Sequence, residues 1–144
     1  MISRRLALLL PLAVVGAGAG YTLLQPALAR PTLDAPTAFE RAEAGEIILV
    51  DIRQPEEWDE TGCPRGAHRL DLRSPDFLDR LSALTDDDHG RPIALICASG
   101  GRSARTARAL TDAGFTNILD VSEGMLGSSA GPGWIARGLP VVTD

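Results

Sequence analysis

Apolar positions in this chain form two patterns that alternate. Short, continuously apolar runs occur at residues 47–50, 93–96 and 118–121, the last interrupted only by Asp120. Runs of this length without polar alternation predict strands buried on both faces, as in a parallel sheet. Between them lie stretches of helical spacing. Thr37 is placed to cap a short helix that ends at Ala44, with Gly45 as its stop. Ser74-Pro75 is a helix start, followed by an apolar face of Phe77, Leu78, Leu81 and Leu84. A third helix runs from Arg102 to Ala113, and Gly114 ends it. Residues 86–90 (Asp-Asp-Asp-His-Gly) predict a solvated turn and lack the ligand spacing of a calcium loop. Strands alternating with helices predict an α/β fold: one domain over 37–144 with a central parallel sheet flanked by helices.

The first 29 residues follow a different logic. Arg4 and Arg5 precede a stretch from Leu6 to Leu24 that carries no charge, and Ala27-Leu28-Ala29 supplies small residues at −3 and −1 of a cleavage point. This is the pattern of a signal peptide. An uncleaved anchor is the alternative, since about 19 uncharged residues are just enough to span a bilayer. Ser3-Arg4-Arg5 partly matches a twin-arginine signal, although Ala7 stands where a bulky apolar residue is usual. The expectation is export, to a bacterial periplasm, with membrane contact only through this segment if it is retained. Residues 30–36 predict a Pro-containing linker.

Composition narrows the partners. All 14 basic residues are Arg; without Arg4 and Arg5 there remain 12 against 19 acidic residues, a net of about −7. That balance argues against nucleic acid. Two cysteines, and His68 and His89 standing apart, predict neither a disulfide scaffold nor a metal site.

The candidate chemistry lies at Cys97. It follows the apolar run 93–96, where open α/β sheets build their sites. The segment Cys97-Ala98-Ser99-Gly100-Gly101-Arg102-Ser103 then enters a helix without a bulky residue before Arg102. Backbone N–H groups of such a loop turn inward as an anion-binding nest, and the following helix aims its dipole at the same point. Both favour the thiolate, the nucleophilic form. Arg102 stands in the first turn, where a cation opposes the macrodipole, which suggests an anion for it to meet. Ser99 and Ser103 either donate hydrogen bonds to a bound sulfur species or shape the turn. Asp51 and Arg53 have no nearby His with which to build a Cys–His pair. Their expected role is structural support, with Arg53 pairing Glu56 or Glu57. Trp58 and Trp134 are expected to pack, with a place on the pocket rim as the alternative for one of them. Cys63, in an accessible Gly-Cys-Pro turn, is expected to be an incidental or partly buried thiol, with a resolving disulfide to Cys97 as the alternative.

This cysteine loop resembles the active-site loop of the rhodanese (sulfurtransferase) family. Asp51-Ile52-Arg53-Gln54-Pro55-Glu56-Glu57-Trp58 is similar to that family's Asp-x-Arg…Glu segment. Trp134-Ile135-Ala136-Arg137-Gly138-Leu139-Pro140-Val141 resembles its closing Trp…Gly-x-Pro-Val signature. The chain departs from the family at Gly62-Cys63-Pro64-Arg65-Gly66-Ala67, where Gly-His-Ile-Pro-Gly-Ala is frequent. It departs again at Gly124-Met125, where a Gly-Gly pair is common.

The resemblance implies a sulfurtransferase with Cys97 as its catalytic residue, carrying sulfane sulfur as a persulfide. Residues 98–103 would bind a small anionic donor such as thiosulfate, with cyanide or a thiol as acceptor and no cofactor or metal. The alternatives are a Cys-based phosphatase or arsenate reductase, and a non-catalytic binding module. Four residues separate Cys97 from Arg102, whereas the phosphatase relatives use five around a tetrahedral oxyanion.

Overall fold

A five-stranded parallel sheet carries the site. The computed structural model describes residues 30–143; the signal or anchor segment expected over 1–29 lies outside the described residues. The strands are β1 (Thr32–Leu33), β2 (Ile48–Asp51), β4 (His68–Arg69), β5 (Ile93–Ile96) and β6 (Ile118–Val121), in the spatial order β1-β6-β5-β2-β4. A separate antiparallel pair joins β3 (Cys63–Pro64) to β7 (Val141–Val142). Helices α1 (Ala35–Glu43), α2 (Pro55–Thr61), α3 (Phe77–Leu84) and α4 (Gly101–Asp112) complete the described elements.

The central strand β5 is buried at every position. Each large aliphatic side chain on it contributes roughly 1.5–3 kcal/mol by leaving water. Its alternation divides the core. Ile93, Leu95 and then Cys97 face a layer containing Leu81, Ala107, Leu110 and Phe115 from α3, α4 and the loop after α4. Ala94 and Ile96 face the other layer, with Ala35, Ala38, Met125 and Trp134. Successive side chains on a strand point to opposite faces, so Cys97 emerges on the α4 side. Register brings Asp51 opposite Ile96 and Asp120 opposite Leu95, so the carboxyl ends of β2, β5 and β6 meet at one edge.

Local structure differs from the sequence reading at the start of the domain and around α3. The stretch expected as linker contains β1, which pairs with β6, and the first two residues of α1. Asp34, rather than Thr37, caps α1; its carboxylate accepts the Thr37 N–H at 2.8 Å, and Pro36 lies in the first turn. Pro36 hides that cap from a reading that takes proline as linker. Helix α3 begins at Phe77, because Ser74 and Pro75 form a turn whose Ser74 carbonyl accepts the Phe77 N–H. On α3, Phe77 and Leu81 are buried while Leu78 is 52% exposed.

Candidate active site

Cys97 sits one residue beyond β5, 1% exposed, at the floor of the loop that leads into α4. Its Sγ accepts the Gly100 N–H at 3.2 Å and the Ser103 N–H at 3.4 Å. The Ser103 hydroxyl lies 3.4 Å from the sulfur and donates to the Gly100 carbonyl at 3.1 Å. Among the described residues, the N–H groups of Ser99, Gly101 and Arg102 have no acceptor. They remain open to an incoming anion at the positive end of the helix. Ser99 and Gly101 are exposed and Ala98 is half-buried, so the mouth of the loop faces solvent while the sulfur lies beneath it.

The loop takes this shape because glycine permits it. Gly100 has φ +85°, and a Cβ there would stand 2.2 Å from the Ser122 carbonyl oxygen. Only glycine combines that backbone angle with so close an approach. Below the loop, Met125 N–H donates to the Cys97 carbonyl at 2.9 Å and Leu126 N–H to the Ala98 carbonyl at 2.8 Å. Gly124 makes this stacking possible, since a Cβ on it would come within 2.5 Å of the Ala98 oxygen. The loop's carbonyls are thereby tied down on one side and its N–H groups turned toward the sulfur on the other.

Arg102 and Glu57 form the upper edge. Two guanidinium nitrogens of Arg102 reach the Glu57 carboxylate at 2.6 and 2.7 Å. Glu57 also accepts the Gln54 N–H at 2.9 Å, closing a capping box on α2. Hydrogen bonds from Arg102 hold the Glu57 carboxyl below the usual carboxylate range against the opposing effect of burial, and the Gln54 N–H adds to this. Arg102 therefore meets a carboxylate of the protein in this state, where the sequence pointed only to a substrate.

Asp51 and Arg53 are a buried support. Arg53 is 1% exposed and bonds to Asp51, closest at 2.7 Å, and not to the carboxylate of Glu56 or Glu57 as expected. Its remaining donors reach the Glu57 carbonyl, the Thr61 hydroxyl and the Gly62 carbonyl. One guanidinium thus fixes both ends of α2 and so places Glu57. A five-donor fork suits such divergent acceptors, which an ammonium would not span.

Cys63 differs from the expectation of an accessible thiol. It is fully buried in β3, and burial, with the Asp51 charge adding to it, pushes its thiol up to about 12. Both cysteines are free. Trp134 is buried edge-on against Phe39, 5.8 Å between ring centroids, and its indole N–H donates to the Pro140 carbonyl.

Two acidic residues that the sequence reading passed over shape the neighbourhood. Glu123, 1% exposed, accepts from the Ala35 N–H, the Gly133 N–H and Arg137 Nε. It binds the start of α1 to the segment before β7. Asp120 lies on β6 beside Ser103; its Oδ1 is buried without a partner, and burial pushes its carboxyl up against the counter-pull of Ser103 and Arg30. A lone acid inside an apolar run was the available signal for Asp120.

Comparison with known proteins matches residues 35–130 to the Rhodanese-like domain. The chain belongs to the rhodanese-like domain family. It is 31% identical over 99 residues to an uncharacterised protein of Rickettsia conorii, covering 65% of this chain and 80% of that one. It is 32% identical over 119 residues to "Thiosulfate sulfurtransferase 16, chloroplastic" of Arabidopsis thaliana, covering 73% and 92%. Among solved structures it is similar to the polysulfide-sulfur transferase homodimer of Wolinella succinogenes. That match has TM-score 0.60 and 26% identity and covers 78% of each chain. In this rhodanese-like domain the cysteine loop, the Asp51–Arg53 support and the closing tryptophan are thus drawn from all three segments that carried the resemblance.

Proposed function

We propose that this protein is a sulfurtransferase that carries sulfane sulfur on Cys97. The observation that supports it best is the direction of the loop: two N–H groups already point at Sγ, and three more at the mouth lack acceptors. The Cys97 thiolate attacks the outer sulfur of thiosulfate; a Cys97–sulfur bond forms, the sulfur–sulfur bond of the donor breaks, and its electron pair leaves with sulfite. The inward N–H groups stabilise the anionic sulfur before and after transfer. An acceptor nucleophile then takes the outer sulfur and returns Cys97 as thiolate. No step requires a cofactor. The loop length supports sulfur transfer over phosphate-ester chemistry, since four residues between Cys97 and Arg102 form a smaller ring of donors. The relative named a thiosulfate sulfurtransferase agrees with this donor class.

Thiosulfate is expected to add the mass of one sulfur atom to the protein, and cyanide to remove it as thiocyanate. An adduct that persists in Cys97→Ala would move the site elsewhere. We also propose export, on the strength of Arg4, Arg5, the uncharged stretch and Ala27-Leu28-Ala29. Expressed from its own start codon in a bacterium, the protein should be found in the periplasm beginning near Arg30. An intact N-terminus in the membrane fraction would select the anchor, and a cytosolic protein would overturn both.

A further inference from the structure

A cavity of about 520 Å³ is bounded on one side by α2, through Pro55 and Trp58. Its walls include Trp58, Arg69, Asp71, Arg73, Ser74 and Arg80. Three guanidinium groups line it; Asp71 is the carboxylate among its walls, and Glu56 stands 3.7 Å from Arg73 at its edge. The volume is that of a small-molecule site and far exceeds what the few atoms of thiosulfate need. Arg69 stacks over the Trp58 ring, 5.8 Å from guanidinium carbon to ring centroid, which gives the cavity a flat wall. Arg73 holds Asp71 at 3.1 Å and reaches Glu56 at 3.7 Å, yet it remains 56% exposed. Arg80 donates only to the Arg69 carbonyl and meets no carboxylate among the described residues. A guanidinium left with open donors is a ready partner for a carboxylate.

The cavity and the cysteine loop share α2. Glu57 holds Arg102 of the loop, and the next residue, Trp58, forms the cavity wall. Their charges also reach each other. Asp71 is held below the usual carboxylate range first by Arg73, with Arg102 adding to the effect.

We propose that this arginine-lined cavity binds the carboxylate end of a peptide-sized thiol acceptor whose sulfur takes the sulfane sulfur from Cys97. The inference rests on the sulfurtransferase reading above. In the step, the acceptor thiolate attacks the outer sulfur of the Cys97 persulfide. A bond forms between the acceptor sulfur and the sulfane sulfur, and the bond from sulfane sulfur to Cys97 breaks. Cys97 leaves as thiolate and the acceptor leaves as its own persulfide anion, so two negative charges enter the step and two leave it. No outside oxidant or reductant enters.

The test uses glutathione, which carries two carboxylates, beside its diethyl ester, which carries none, with thiosulfate saturating and cyanide as the acceptor without an anchor. The wild type should show a KM for glutathione about tenfold or more below that for the ester. Arg73→Ala and Arg80→Ala should abolish that difference, leave cyanide turnover unchanged, and retain the wild-type circular dichroism. Arg80→Lys should restore part of the preference. Equal KM values for glutathione and its ester in the wild type, or an unaltered preference in both variants, would overturn the proposal. Absence of cyanide turnover in the wild type would instead strike the sulfurtransferase reading. The unreactive thioether S-methylglutathione separates the two by NMR titration. Binding that Arg80→Ala weakens, in a protein without turnover, would leave a carboxylate site but end its acceptor role.

Discussion

The Glu57 carboxylate grips Arg102 through two nitrogens, and by doing so fastens α2 to the first turn of α4. With both side chains about a quarter exposed, the pair contributes roughly 1 kcal/mol to stability. Its larger effect is on availability: an anionic donor must share Arg102 with Glu57 or displace it. Arg102→Ala should therefore raise KM for thiosulfate about tenfold while the protein stays folded. Glu57→Gln should lower that KM by a few-fold, because the guanidinium keeps a weaker partner. Steady-state kinetics on both variants checks the pair of signs; matching increases would show that Glu57 orients Arg102 instead of competing for it.

Glu57 also sets a pH dependence. Its folded carboxyl titrates below the ordinary 4.5, so its stabilisation is complete above that value. It is lost as pH falls through the lowered folded value. Acid unfolding followed by circular dichroism should be less steep in Glu57→Gln across this window.

Asp120 should show the opposite sign. Its folded carboxyl is raised above the ordinary 3.8, so the native state binds the extra proton and stability falls as pH rises through the window above 3.8. Asp120→Asn removes this slope and should stabilise the domain at neutral pH by about 1 kcal/mol. Denaturant melts at acidic and neutral pH will show whether the gain is confined to neutral pH, as it must be.

Gly100 and Gly45, both at positive φ, make a contrast. Gly100→Ala meets a carbonyl at 2.2 Å, whereas a Cβ on Gly45 (φ +71°) meets nothing within 4 Å. Gly45→Ala should cost about 1 kcal/mol for its backbone angle alone. Gly100→Ala should cost clearly more and depress sulfur transfer, since the N–H that faces Sγ moves with it. Equal losses in thermal melts would mean that the loop can retreat from Ser122.

Removing Arg53 should be the most damaging of the charge substitutions. Arg53→Met leaves Asp51 buried and unpaired and releases both ends of α2, at a cost of about 3–5 kcal/mol. Replacing both members by apolar residues should recover much of it. If the single substitution lowered transfer without lowering stability, Asp51–Arg53 would belong to the chemistry.

Strands β2, β5 and β6 and the cysteine loop were legible because each depends on neighbours in sequence. β5 and β6 need only an apolar run, and the turn at Gly100 needs only the absence of bulk. Partner choice was not legible. Arg53 has Glu56 and Glu57 close by in sequence, yet it turns to Asp51 because both project from one strand end into the same buried space. Cys63 looked accessible because Gly-Cys-Pro is a turn signal; only the arrival of Val142 from the far end of the chain makes it a strand and closes it off. Glu123 gives no local sign at all, since its three donors come from residues 35, 133 and 137.

The alternation along β5 makes the sulfur's aim a matter of odd and even numbers. Ile93, Leu95 and Cys97 share a face, and Ala94 and Ile96 take the other. Inserting one residue between Ile93 and Cys97 would preserve every side chain of the loop yet turn the thiol toward Trp134 and α1, away from the N–H groups of α4. Inserting two would restore the face but push the sulfur about 6.6 Å farther along the strand axis, past its donors. This stretch can therefore tolerate exchanges of side chain far better than any change of length.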